Sequence, residues 1–306
     1  MTGTRRTGLI LAFVTSIISG FAVFLNSYGV KAVGDATTYT TLKNTVAFVV
    51  LATLVSGLVA TSRSKSPAVL TRPTTGRQWF GLGVVGVLGG AIAFVLFFEG
   101  LSRASSTHAA FLHKTLLLWV ALLAVPLLGE RLGKWHLLAI GLLVAGQIGL
   151  AGGASSLFGT GEAMVLGATM LWAVEVVLAK WLLADLSSWT LGLARMGIGS
   201  LVLLLWTALR GQLGSALSLS AAQWGWVLLT GLLLAGYVGT WFAALARAQA
   251  VDVTAVLVVG AVITTVLATA VQGAPFGPQV GWLLLVLAGG TLIAMPISRR
   301  PQENLA

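Results

Sequence analysis

The chain contains no cysteine, only three histidines, and only eight Asp and Glu residues among 306. The first absence excludes disulfides, thiolate metal sites and cysteine nucleophiles. The scarcity of acids and histidines leaves no pair of them at metal-ligand spacing, and no Ser/His/Asp set can be assembled. Charge of any sign is sparse at 8%, against about 25% in soluble domains. No segment has the composition of a soluble domain. What is present is 57% hydrophobic, with eleven Trp and a mean hydropathy of +0.97. That composition describes an all-α integral membrane protein that crosses the bilayer many times.

A hydrocarbon core about 30 Å thick needs roughly 17–25 apolar residues per helix. Ten stretches qualify: 8–30, 37–60, 79–101, 107–128, 135–152, 162–183, 187–209, 224–246, 251–273 and 279–296. Several gaps between them hold only four to seven residues, so successive helices must run antiparallel. The two longer gaps, 61–78 and 210–223, carry loop chemistry: the first is basic and contains proline, the second is rich in Gly and Ser. Arg5 and Arg6 precede the first stretch as in a signal peptide, but no A-x-A-like cleavage site follows, so it reads as a retained helix.

The net charge of +10 would suggest a nucleic-acid partner in a soluble domain. Here the basic residues sit in the gaps between apolar runs and act as topology signals, so no nucleic acid is expected. With a cytoplasmic N-terminus, the cytoplasmic segments hold twelve Lys and Arg and the opposite side only Lys31, Arg103 and Arg210. This asymmetry places both termini in the cytoplasm. The remaining three cations, Lys43, Lys114 and Arg195, fall inside helices.

The chain also resembles itself. A shift of 144 residues lays Phe98 on Phe242, Leu101 on Leu245, Arg103 on Arg247, Ala104 on Ala248, Gly129 on Gly273 and Gly133 on Gly277. Near the start, a shift of 152 lays Lys43 on Arg195. Residues 1–153 and 154–298 would then be two five-helix repeats, followed by a short tail, 299–306. Because five is odd, the second repeat enters the membrane the other way up, giving inverted repeats about an axis in the membrane plane.

Ten short helices in two inverted halves, together with WVALLAVPLLGERL ending in Gly129, Glu130, Arg131 and Leu132, resemble the drug/metabolite transporter superfamily, specifically members with two EamA-type repeats. The basic residues early in the second and seventh helices, Lys43 and Arg195, match that pattern. The chain departs from it in lacking a Trp in the first helix, in carrying Leu117 where a proline is common, and in having Gly273, Ala274 and Pro275 where the first repeat has its Gly-Glu-Arg triplet. The resemblance implies a secondary transporter, an exporter or exchanger in a prokaryotic inner membrane. It would work as a monomer without cofactor or metal, with a small-molecule substrate and membrane lipids as its partners. The other classes considered are a membrane-embedded enzyme, which should show a His, Asp or Glu cluster at the cytoplasmic face, and a non-transporting scaffold, which would need a long soluble loop or tail.

Physical chemistry narrows the site. A charge at the bilayer centre costs roughly 2.5–3.5 kcal/mol on insertion scales, so such residues face a cavity, a partner or the interface. Lys114 shares a helical face with Ala110, Phe111, Leu117, Ala121 and Ala124, which suits helix packing better than lipid. Glu175, the one acid deep inside a span, shares its face with Ala168, Trp172 and Ala179. Its role is either counter-ion to one of the three cations or binder of an ammonium or a proton. The candidate substrate-binding set is Lys43, Lys114, Glu175 and Arg195, with Trp172, Trp119 and Tyr237. Glu175 and His113 are the candidates for proton coupling. Three cations against one carboxylate favour a solute bearing a carboxylate or phosphate, such as an amino acid. The run GLGVVG at 81–86 matches a dinucleotide fingerprint literally but lies within an apolar helix with no strand before it, so its glycines are read as packing.

Overall fold

A computed structural model describes residues 2–61, 69–150, 159–214, 218–272 and 277–294. Among them the secondary structure is helical, without strands. The helices are α1 (Thr2–Val33), α2 (Ala36–Thr61), α3 (Gly76–Arg103), α4 (106–128), α5 (Lys134–Leu150), α6 (Thr160–Leu182), α7 (Ser188–Leu209), α8 (Ala221–Leu245), α9 (250–272) and α10 (Val280–Ala294). Eight of these are long and apolar enough to cross a membrane; α5 and α10 are apolar but shorter, at 17 and 15 residues. The expected boundary between repeats at 153 and 154 and the tail 299–306 lie outside the described residues.

Helix starts follow local chemistry. Thr75 and Gln78 form a capping box at α3, each side chain bonding the other's backbone N–H, and Ser220 and Gln223 repeat it at α8. In both places the box opens the pattern Ser/Thr-x-x-Gln-Trp. Gly129 ends α4 in the left-handed conformation at φ 67°, a geometry glycine adopts without steric cost.

Three helices are irregular where the sequence suggests continuous rods. α3 widens into a π-helical stretch, Val85–Ile92, between two α-helical ones. α4 is broken at Thr115 into Ser106–Lys114 and Leu116–Leu128, and α9 is broken at Val259 into Ala250–Val258 and Gly260–Gln272. The two breaks are 144 residues apart, the shift at which the sequence resembles itself. Thr115 turns its hydroxyl back to the carbonyl of Leu112 at 2.6 Å, which favours a break over a straight helix.

The packing has the same symmetry. α1 lies along α8 and α3 along α6; α2 along α8 and α3 along α7; α1 beside α9 and α4 beside α6. Each pair turns into its mate when every helix is exchanged with the one five places away. The pairs α2 with α7, α4 with α9 and α5 with α10 turn into themselves. Close approach at the crossings depends on small residues, as in membrane bundles generally: Gly90 on α3 lies against Gly199 on α7, and Gly100 on α3 against Gly161 on α6.

Candidate functional site

A cavity of about 680 Å³ lies between the two sets of five helices, walled by α1, α3, α4, α6, α7 and α8. Most of the wall is aromatic or aliphatic, with Asn26, His113, Glu175, Arg195, Thr230 and Tyr237 as its main polar members.

At one side Arg195 and Glu175 form a buried, two-pronged ion pair. Arg195 Nε donates to Glu175 Oε1 at 2.5 Å, and Arg195 Nη2 to Oε2 at 3.1 Å. Such paired N–H···O bonds fix both orientation and charge. The π-helical stretch of α3 makes room for this pair, since a side chain at Gly89 would collide with the Glu175 carboxyl group. It also presents carbonyls sideways: Trp172 Nε1 donates to Gly89 O at 3.1 Å and Asn44 Nδ2 to Gly90 O at 3.3 Å. Glu175 therefore is the counter-ion of Arg195.

Lys43 sits behind the wall in a cage of rings, 1% exposed. Its Nζ lies 3.6 Å from the ring centre of Phe98, 5.2 Å from Phe94 and 5.6 Å from Tyr39, a cation–π arrangement. Its one hydrogen bond is a long one to Asn26 Oδ1, 3.4 Å. The same oxygen accepts from Tyr39 Oη at 2.6 Å, and Tyr39 Oη also bonds Thr230 Oγ1 at 2.9 Å. Arg195 Cζ stands 5.1 Å from the ring centre of Phe94. The two basic residues that the internal repeat sets in register thus converge on one phenylalanine ring. Asn26, Tyr39, Phe94, Phe98 and Thr230 escaped the sequence reading; Asn26 and Asn44, polar residues within apolar helices, were the available signal.

The other candidates are placed as follows. Trp172 and Tyr237 line the cavity; Trp172 packs edge-on to Phe94 and Tyr237 stacks on Trp241 at 5.8 Å. His113 lines it too, in edge contact with Trp172 and Phe97, and its buried Nδ1 has no hydrogen-bond partner. Lys114 is buried and donates to Ser19 Oγ at 2.8 Å, so it meets the cavity wall through Ser19. Trp119 lies on the second segment of α4 and is not among the lining residues.

A second polar cluster closes the end of the bundle where α1 and α9 begin. Arg5 donates to Asp252 Oδ2 through Nε at 3.1 Å and Nη2 at 3.0 Å, and to Ile293 O at 3.2 Å. His136 Nε2 lies 3.2 Å from Asp252 Oδ1. Glu130 accepts from the backbone N–H groups of Ala250 and Val251, and Lys180 donates to the carbonyls of Leu245 and Ala248 at 2.6 and 2.7 Å. In the sequence Glu130 stands out only as part of its Gly-Glu-Arg motif; its partners lie about 120 residues away.

Comparison with known proteins agrees with this architecture. Residues 6–152 and again 159–295 match the EamA-like transporter family. A solved crystal structure, described only as that of a protein, is similar over 93% of this chain and 94% of its own, with a TM-score of 0.69 and 19% identity, which speaks to the fold alone. No curated protein matches the chain.

Proposed function

Since the chain belongs to the EamA-like transporter family, we propose that it is a secondary active transporter, an exporter or exchanger, moving small carboxylate-bearing metabolites such as amino acids by alternating access. The observation that carries this reading is the cation surplus at the cavity. Glu175 is already neutralised by Arg195, while Lys43 behind the wall and Lys114 beside Ser19 face no carboxylate at ion-pair distance among the described residues. Buried lysines without a carboxylate partner hold their charge best when an anionic group comes near, so they suit an anionic solute, and the aromatic wall accepts an apolar side chain.

In this reading ten helices cross a prokaryotic inner membrane, with both termini cytoplasmic. Residues 1–153 and 154–298 form inverted repeats, which the exchange symmetry of the packing supports. The monomer is the working unit. Lys43, Lys114 and Arg195 set the field, Trp172 and Tyr237 provide contact area, and Glu175 and His113 carry a coupled proton. The Arg5–Asp252 cluster then holds the cytoplasmic end shut and must open during the cycle.

Uptake into proteoliposomes tests the reading. Carboxylate-bearing solutes should be carried, an imposed pH gradient should drive them, and Lys43→Met should lower uptake about ten-fold, the loss of one favourable charge contact. Transport of organic cations alone, or full activity in Lys43→Met and Glu175→Gln together, would overturn it.

A further inference from the structure

A second crevice, of about 460 Å³, opens on the outer flank of α4 at its break, between α4, α5 and the first segment of α9. Its wall is apolar apart from Lys114, Thr115 and Gln147. Leu118 and Ile148 in its wall are 39% and 43% exposed, the first on a helix long and apolar enough to cross a membrane and the second on a shorter apolar one, so in a ten-helix membrane bundle the crevice faces lipid hydrocarbon.

Two features of this wall are out of place for a groove meant only to hold acyl chains. Gln147 is 5% exposed and its Nε2 has no hydrogen-bond partner among the described residues. An amide donor left unpaired in an apolar setting costs about 1–3 kcal/mol. Lys114 is 3% exposed; among the described residues its amino group bonds one hydroxyl, that of Ser19, and has no carboxylate at ion-pair distance. Both side chains offer donors, and Thr115 spends its own hydroxyl proton on Leu112 O. An occupant that answers them must present acceptor oxygens and negative charge at one end and hydrocarbon along the rest.

We infer that this crevice binds a single-chain membrane carboxylic acid, a long-chain fatty acid, with its carboxylate between Lys114 and Gln147. Depth selects that occupant over a phospholipid. Lys114 is eight residues into α4, about 12 Å below its start, a depth that a fatty acid reaches as the uncharged acid, giving its proton to the Lys114 amine on arrival, whereas a phospholipid would have to drag an ionised headgroup through hydrocarbon. The site is separate from the central cavity and does not depend on the transport reading. The two communicate through one atom, because a carboxylate drawing on Lys114 competes with Ser19 Oγ on the cavity wall.

The test uses the full-length protein in nanodiscs of phosphatidylcholine, photolabelled with a long-chain fatty acid that carries a diazirine in its chain, followed by peptide mapping. Adducts should concentrate on 111–118 and 143–148, and excess palmitic acid should remove them while hexadecanol, the same chain without the acid, should not. Gln147→Leu should weaken labelling at these peptides about ten-fold and leave labelling elsewhere unchanged. Adducts spread evenly over the lipid-facing helices, competition by hexadecanol equal to that by palmitic acid, or competition by phosphatidic acid in its place, would each overturn the inference. The competition arms need only the unmutated protein, so they decide the matter even if Gln147→Leu fails to fold.

Discussion

The starts of α4 and α9 occupy matching places in the two repeats, yet they are finished by different chemistry. At α4 the cap is local: Ser105 accepts the N–H of His108 at 3.1 Å from within its own turn. The matching residue before α9, 144 positions on, is Gln249, and it makes no side-chain cap. The free N–H groups at that helix start are taken by Glu130, from the end of α4 in the other repeat. Three residues further on the contrast continues. His108 pairs with Glu162 at the start of α6, while Asp252 pairs with Arg5 at the start of α1 and with His136. One helix start is capped from within its own turn and the other by a side chain from elsewhere. An element that borrows its cap cannot part from the lender without exposing backbone donors, so the α9 end is the tighter of the two.

The largest effect expected from breaking this contrast belongs to Glu130→Ala. It strips two buried N–H groups of charged acceptors at a helix N-terminus, and should lower unfolding stability in mixed micelles by about 3 kcal/mol. A loss below 1 kcal/mol would mean that water caps α9 equally well. Asp252→Asn comes next, at about 2 kcal/mol. The figure is below that of a fully buried pair because Arg5 is 34% exposed and regains water. Because the chain has no native cysteine, a single Cys at Tyr237 reports directly on cavity access. Asp252→Asn should raise its labelling by a thiol reagent applied from the side that bears the Arg5–Asp252 cluster, and unchanged labelling would show that this cluster does not hold that end closed. Ser105→Ala should cost about 1 kcal/mol, the ordinary value of a local cap, without altering cavity access.

The two repeats also show which parts of the molecule the sequence discloses. Apolar runs disclosed the helices, since hydropathy needs no knowledge of neighbours, and α5 and α10 read as readily as the long ones. The shift of 144 anticipated the matching places of Thr115 and Val259, though not that the helices break there, because a break depends on what packs against it. Lys43 and Arg195 stood out as costly charges, but the single phenylalanine ring on which they meet comes from α3, with no local signal. The π-helical stretch was invisible for the same reason: its glycines accommodate Glu175, Arg195 and Gly199, which lie 85 residues or more along the chain. Glu130 showed only as part of a motif, because the backbone groups it caps lie about 120 residues away in the other repeat. Gln147 passed unnoticed as one polar residue in an apolar run, which is itself the signal that should have been followed.

The smallest predicted effect is the most discriminating, because it converts one repeat toward the other. Gln249→Ser, placed in Glu130→Ala, gives α9 the hydroxyl that α4 already has at the same position. The backbone at Gln249 is suited to it, with φ −61° and ψ 148° close to the −70° and 150° of Ser105. A serine there can accept the N–H of Asp252, as Ser105 accepts that of His108. The double variant should recover about 0.5–1 kcal/mol of the loss, and it should do so without restoring the tie between repeats, so cavity labelling from the side of the Arg5–Asp252 cluster stays high. Recovery of stability together with renewed protection would mean that the cap itself, and not the link from α4 to α9, keeps this end shut. No recovery at all would locate the cost of Glu130→Ala outside capping, in the attraction between Glu130 and Lys180.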